Sequence, residues 1–139
     1  MIILDTNVLS AVASSQPDPL VVAWLDRQIY ESIWITSITV FEARMGLALL
    51  PSSHRRSSLE LTFALLLHGD LENRVLDFDA DASVAAAALA AKRRMAGRSV
   101  EVRDTQIAGI AVSRRATLAT RNVRHFDDLE IPVVNPWTA

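Results

Sequence analysis

Apolar positions along this chain recur with two different periods. Short apolar or β-branched runs at Ile2–Leu4, Ile33–Thr36, Arg74–Phe78 and Thr117–Thr120 read as strands, with a shorter fifth at Val133–Val134. Between them the spacing becomes helical. A turn at Asp5-Thr6-Asn7 leads into a short helix, and Asp18 followed by Pro19 gives a cap and first position for a helix to about Ile29. Thr39 opens a helix to about Leu50. Ser53 to about Leu71 places Leu59, Phe63, Leu66 and Leu67 on one face. An alanine-rich helix spans Asp81 to Met95 and stops at Gly97, and a last helix covers Val102 to Arg115. Strands alternating with helices predict an α/β domain, with a mainly parallel sheet of four to five strands flanked by helices. No repeat or linker divides residues 1–139, so one domain is expected.

Composition narrows the chemistry. Half of the 139 residues are hydrophobic, enough for a real core. The absence of cysteine removes disulfides, thiolate metal sites and a cysteine nucleophile. The amino-terminal residues lack the pattern of a signal peptide, and the uncharged run Ala82–Ala91 is too short to span a bilayer, so a cytoplasmic protein is expected. The net charge of −2 hides an uneven distribution. From Lys92 to Arg124, nine basic residues stand against Glu101 and Asp104, a formal +7 in an otherwise acidic chain. Such a segment suits a phosphate-binding face, although two solvated helix faces would look the same.

Three acids occupy suggestive places. Asp5 directly follows the first strand, at the edge where open α/β sheets bind ligands, though an Asx turn would also use it. Glu42 completes a Thr39-x-x-Glu42 capping box, yet shares a helical ridge with Ile38, Met45 and Leu49. Asp104 suits the dipole of its helix, but Ile107, Ala108 and Ala111 place it at the inward corner. Strand ends and the starts of following helices share one sheet edge, so the three converge. At about 5 Å and an effective dielectric near 20, each carboxylate pair costs roughly 3 kcal/mol. Such a cluster holds protons or a cation, and oxygen ligands alone favour Mg²⁺ or Mn²⁺. With arginines nearby, that chemistry suits phosphodiester hydrolysis.

Four blocks in order give the chain a family likeness: Ile3-Leu4-Asp5-Thr6-Asn7, Ser37-Ile38-Thr39-Val40-Phe41-Glu42 with Gly46, Arg103-Asp104-Thr105-Gln106-Ile107-Ala108, and Leu118-Ala119-Thr120-Arg121-Asn122. The sequence resembles PIN-domain ribonucleases, and closely resembles the VapC and FitB toxins among them, with Phe126 and Asn135-Pro136-Trp137 similar to the FitB branch. The resemblance implies a helix-flanked parallel sheet and a Mg²⁺- or Mn²⁺-dependent endoribonuclease. Asp5, Glu42 and Asp104 would be its acidic core. It also implies orienting roles for the Thr6 and Thr120 hydroxyls and substrate positioning by Arg121. Where many relatives carry a fourth acid this chain has Asn122, which coordinates through its carbonyl or positions water without adding charge. The likeness further implies a homodimer, and inhibition by a VapB/FitA-like antitoxin that alone reads operator DNA.

Other readings compete. A strand ending in Asp also begins haloacid-dehalogenase-like phosphatases, but their second acid is Asn7 here. A PIN fold without catalysis would act as a scaffold or co-repressor, a reading that Asn122 leaves open and the three acids oppose. His125, Asp127 and Asp128 lie near the fourth block, where a loop histidine and capping acids are the plain interpretation. The small residues of Ala82–Ala91 permit self-association through close helix packing, though an internal helix against the sheet is the plainer reading, and Leu47, Leu50 and Leu65 suggest an exposed ridge for the antitoxin or the dimer.

Overall fold

The computed structural model describes all 139 residues. In chain order the elements are β1 (Ile2–Leu4), α1 (Thr6–Val12), α2 (Pro19–Asp26), β2 (Ile33–Thr36), α3 (Ser37–Ala48), α4 (His54–Leu65), β3 (Val75–Leu76), α5 (Ala80–Met95), α6 (Val102–Ser113), β4 (Thr117–Ala119) and β5 (Val133–Val134). The sheet order is β3-β2-β1-β4-β5, with every neighbouring pair parallel. Ile3 is paired with Trp34 on one side and Leu118 on the other, so β1 is central. All five strands therefore end on one edge, and the residue after β1 emerges in the middle of it.

Alternation along the strands divides the core into two layers. Leu4, Ile35 and Ala119 face α1, α2 and α4, where Val8, Leu9, Trp24 and Phe63 complete one cluster. Ile3 and Leu118 point the other way, into Ile107, Ile110, Ala82 and Phe126. The alanine-rich α5 packs mainly on α6 rather than on the sheet. Its small residues serve that crossing: a Cβ on Gly109 would come within 2.6 Å of the Ala82 carbonyl oxygen and of Ala86 Cβ. Gly97, at φ +74°, ends α5 in the left-handed region.

Several boundaries differ from the expected ones. α2 stops at Asp26, and Ile29 is 74% exposed before a 3₁₀ turn at Tyr30–Ser32. α3 begins at Ser37 because Thr36, not Thr39, caps it by accepting the Thr39 N–H. The long helix after Ser53 changes at Leu66 into a π turn, Leu66–Asp70, that keeps Leu67 and Leu71 in the core. β3 is only two residues long, because the Phe78 N–H donates to Ser37 Oγ instead of a strand. Of the expected leucine ridge only Leu65 is exposed; Leu50 is half-buried and Leu47 packs on the first cluster.

Candidate functional site

Asp5 is only 4% exposed, at the carboxyl end of the central strand. It caps α1: its Oδ1 accepts the Thr6 N–H at 2.8 Å. Its Oδ2 accepts the Thr120 hydroxyl at 2.7 Å and the Asn7 amide at 3.3 Å. Asn7 then accepts the Arg121 N–H, and Thr120 accepts that of Asn122, so the segment after β4 is tied to α1 through Asn7 as well as through the carboxylate. Burial pushes the Asp5 carboxyl above its ordinary range. The hydrogen bonds from Thr120 and Thr6 oppose this, while the charges of Asp104 and Glu42 add to it.

Glu42 approaches from α3. The Thr6 hydroxyl donates to its Oε1 at 2.8 Å, and Arg103 stands 3.6 Å from its Oε2. Each hydroxyl has one proton, so the order of donors is fixed. Thr36 donates to Thr39, Thr39 to Thr6, and Thr6 to Glu42, a line of hydroxyls running from the end of β2 to the carboxylate. Met45 and Leu49, expected to share a buried stripe with Glu42, are 39% and 77% exposed. Val40, Ala43 and Leu47 form the inward face instead, which leaves Glu42 at its margin.

Asp104 lies in the first turn of α6, which leads into β4 and so begins at the carboxyl edge of the sheet. Glu101 caps that helix by accepting the Asp104 N–H. The Asp104 carboxyl is raised, first by burial and then by Glu101, with His125 and Arg93 pulling it back. His125 Nδ1 lies 3.5 Å from Asp104 Oδ2. Asp5, Glu42 and Asp104 thus share one edge, and Asp5 feels the charge of the other two. Glu42 is held by Thr6 and Arg103, and Asp104 is drawn toward His125. No three Asp, Glu or His side chains close into a cage able to hold an ion unaided. An all-oxygen set of this kind fits a hard cation that keeps most of its waters.

Hollows of different character lie on the two sides of these acids. Beyond Glu42, about 510 Å³ opens between α1, α3 and α4, with Leu9, Leu47, Leu59 and Phe63 among its walls. Beyond Asp104, about 270 Å³ opens with no hydrophobic lining.

Comparison with known proteins places this arrangement. Residues 2–131 match the model of the PIN domain family. The chain belongs to the PIN-domain family. The plasmid stability protein StbB of Pseudomonas syringae pv. tomato is 42% identical to this PIN domain over the whole of both chains. The VapC ribonuclease Y4jK of Sinorhizobium fredii is 38% identical, covering 99% of this chain and 98% of its own. The crystal structure of FitAcB from Neisseria gonorrhoeae is similar at a TM-score of 0.90 and 34% identity, with 100% of both chains covered.

Within the PIN domain, Thr6 and Thr120 touch the carboxylates directly. Asn122 is exposed and is anchored through its backbone, its N–H donating to Thr120 and its carbonyl accepting the His125 N–H. Arg121 turns away from the acids, its guanidinium 4.8 Å from the Trp137 ring, whose Nε1 donates to Asp18. Sequence reasoning missed Thr36 as the start of the hydroxyl line and Arg103 as the partner of Glu42. A Thr-x-x-Thr spacing across a strand–helix junction was the available signal for the first. It also missed Arg93, which is 4% exposed and clamps Asp128 with two 2.8 Å contacts while donating to the His125 carbonyl. Its place on a buried helix face at i+7 from Ala86 was legible, but a buried arginine is rare enough that solvent is the natural assignment.

Proposed function

We propose that this PIN-domain protein is the toxin of a toxin–antitoxin pair and acts as an Mg²⁺- or Mn²⁺-dependent endoribonuclease. The observation that carries this reading is the buried Asp5 carboxylate, pinned at the centre of the sheet edge with Glu42 and Asp104 close enough to raise its proton affinity. A group under that electrostatic load gains most from a bound cation. Asp5 would hold the metal most directly, with Glu42 and Asp104 on either side acting directly or through its waters. When bound, the ion would polarise a phosphoryl oxygen and make an attacking water more acidic.

The chain's own residues set the stage for that chemistry. Thr120 and the Thr6 N–H fix both oxygens of Asp5, so it cannot rotate away from the edge. Thr6 and Arg103 hold the Glu42 side chain in place, and His125 orients Asp104. Asn122 and Arg121 border the path of the substrate after β4, with Asn122 placed to bind water or phosphate without adding charge. In the cytoplasm the protein would act as a homodimer until a VapB/FitA-like antitoxin covers the site. The amphipathic hollow that ends at Glu42 supports a peptide segment as the inhibitor, and operator DNA would be bound only through that antitoxin.

Purified, antitoxin-free protein is expected to cut total cellular RNA into discrete fragments with Mg²⁺ or Mn²⁺ and to be silent in EDTA. Asp104→Asn should lose at least about 100-fold in rate while keeping its fold by circular dichroism. A folded protein that binds its antitoxin but cuts nothing with either metal would leave the scaffold or co-repressor reading.

A further inference from the structure

The polar hollow beside Asp104 has a composition that the acidic edge does not explain. It lies between the segment joining α5 to α6 and the 3₁₀ turn Val123–Phe126, and Arg98, Ser99, Arg124 and His125 stand in its wall. A second polar hollow of about 350 Å³ continues past Arg121 and Asn122 to Asn135. The two share Arg124 and His125, so together they form a track that ends at Asp104.

The charges along the track are not equally available. Arg93, at its floor, is spent on Asp128. Arg98 bridges Asp127 at 3.1 Å and Asp128 at 3.4 Å. Glu101 caps α6 and faces Arg103 at 3.7 Å. Arg121 lies over Trp137. The Arg124 side chain is exposed and makes no hydrogen bond or ion pair with the rest of the chain, which leaves one uncompensated guanidinium where the two hollows meet.

The geometry points to a phosphate subsite here: Arg124, with His125 beside it, holds a backbone phosphate that flanks the scissile one on the Asp104 side of a single-stranded RNA. A guanidinium matches a phosphodiester in both charge and hydrogen-bond geometry. The first hollow has no hydrophobic lining, and its one ring, the His125 imidazole, is drawn to Asp104, so the contact there is to phosphate and sugar rather than to the base. The assignment rests on the ribonuclease reading, which supplies the substrate class, and it adds the residue and the side of the site.

The test uses binding as well as cleavage. Fluorescein-labelled oligoribonucleotides, each with one uncharged methylphosphonate linkage at a different position, are bound to antitoxin-free protein in EDTA and followed by anisotropy. In the wild type, one flanking linkage should weaken binding about 5- to 20-fold when neutralised. Arg124→Ala should weaken binding of the all-phosphate RNA by a similar factor, lower the salt slope by about 0.7, and abolish the extra penalty at that linkage. Arg124→Lys should recover part of the affinity, and changing the bases beside the linkage should have no effect. An unchanged linkage profile in Arg124→Ala, or a wild type that binds no RNA, overturns the subsite. Metal-dependent cleavage with no dependence on Arg124 would remove the subsite and leave the nuclease reading intact. Arg124-dependent binding without cleavage would do the reverse.

Discussion

A carboxylate as buried as Asp5 is tolerated only when its hydrogen bonds or a ligand offset the loss of water, and here the offset is incomplete. Thr120 and the Thr6 N–H favour the ionised form, but burial outweighs them and the neighbouring acids add to the load. The folded protein therefore holds the Asp5 proton more tightly than the unfolded chain does. Its contribution to stability is fully present below the ordinary carboxylate range and is lost as the pH rises through the raised value. In metal-free protein at neutral pH, Asp5→Asn should melt at a higher temperature than the wild type, and the gap should close as the pH falls into the acid range. Adding Mg²⁺ should stabilise the wild type and leave the variant unmoved. Melting curves across pH with EDTA or metal decide this, and a gap that ignores pH would show that Asp5 carries no such load.

At the scale of elements, the α5–α6 contact shows how a sequence pattern acquires its meaning from packing. The alanines at 82 and 86 are small because Gly109 brings the backbone of α6 against them. Gly109→Ala has no room at 2.6 Å and should cost about 1–3 kcal/mol, seen as a lower urea midpoint with an unchanged slope. An Ala substitution at Gly46, which has open space around its Cα, is the control. Strong periodic segments were legible in advance: β1, β2, β4 and α6 lie where alternation and helical spacing placed them, and Ile107, Ala108 and Ala111 are buried as read. The ends of α2 and α4 were not, because Ile29 continues an apolar pattern without being buried and the π turn uses the same residues a regular helix would. The edge position of Asp5, Glu42 and Asp104 was legible from strand ends and helix starts. The hydroxyl line and the Arg103 partner were not, since they join residues far apart in sequence through contacts no local period encodes.

Across the whole molecule, the basic segment turns out to be divided between different tasks. Arg114 pairs with Asp79 and Arg103 with Glu42, while on the polar track Arg121 stacks on Trp137 and Arg124 is left without a partner. Arg93 is structural: it ties α5 to the turn after β4 through Asp128 and the His125 carbonyl. That clasp closes one end of the second core layer, where Phe126 is buried between the same elements. Buried ion pairs contribute little net stability but are costly to break on one side. Arg93→Met should thus cost about 3–5 kcal/mol, because Asp128 loses its main partner and is only 14% exposed. The double variant Arg93→Met with Asp128→Leu should recover most of that loss, since Arg98 keeps Asp127 and no carboxylate remains stranded. Urea denaturation of the two single variants and the double variant gives the coupling directly. If the double variant were as unstable as the sum of the singles, the clasp would be two independent contacts. If instead stability returns but RNA binding at the Arg124 track does not, the ion pair serves to hold the turn in register, and its cost to the fold is exchanged for a fixed position of His125 and Arg124.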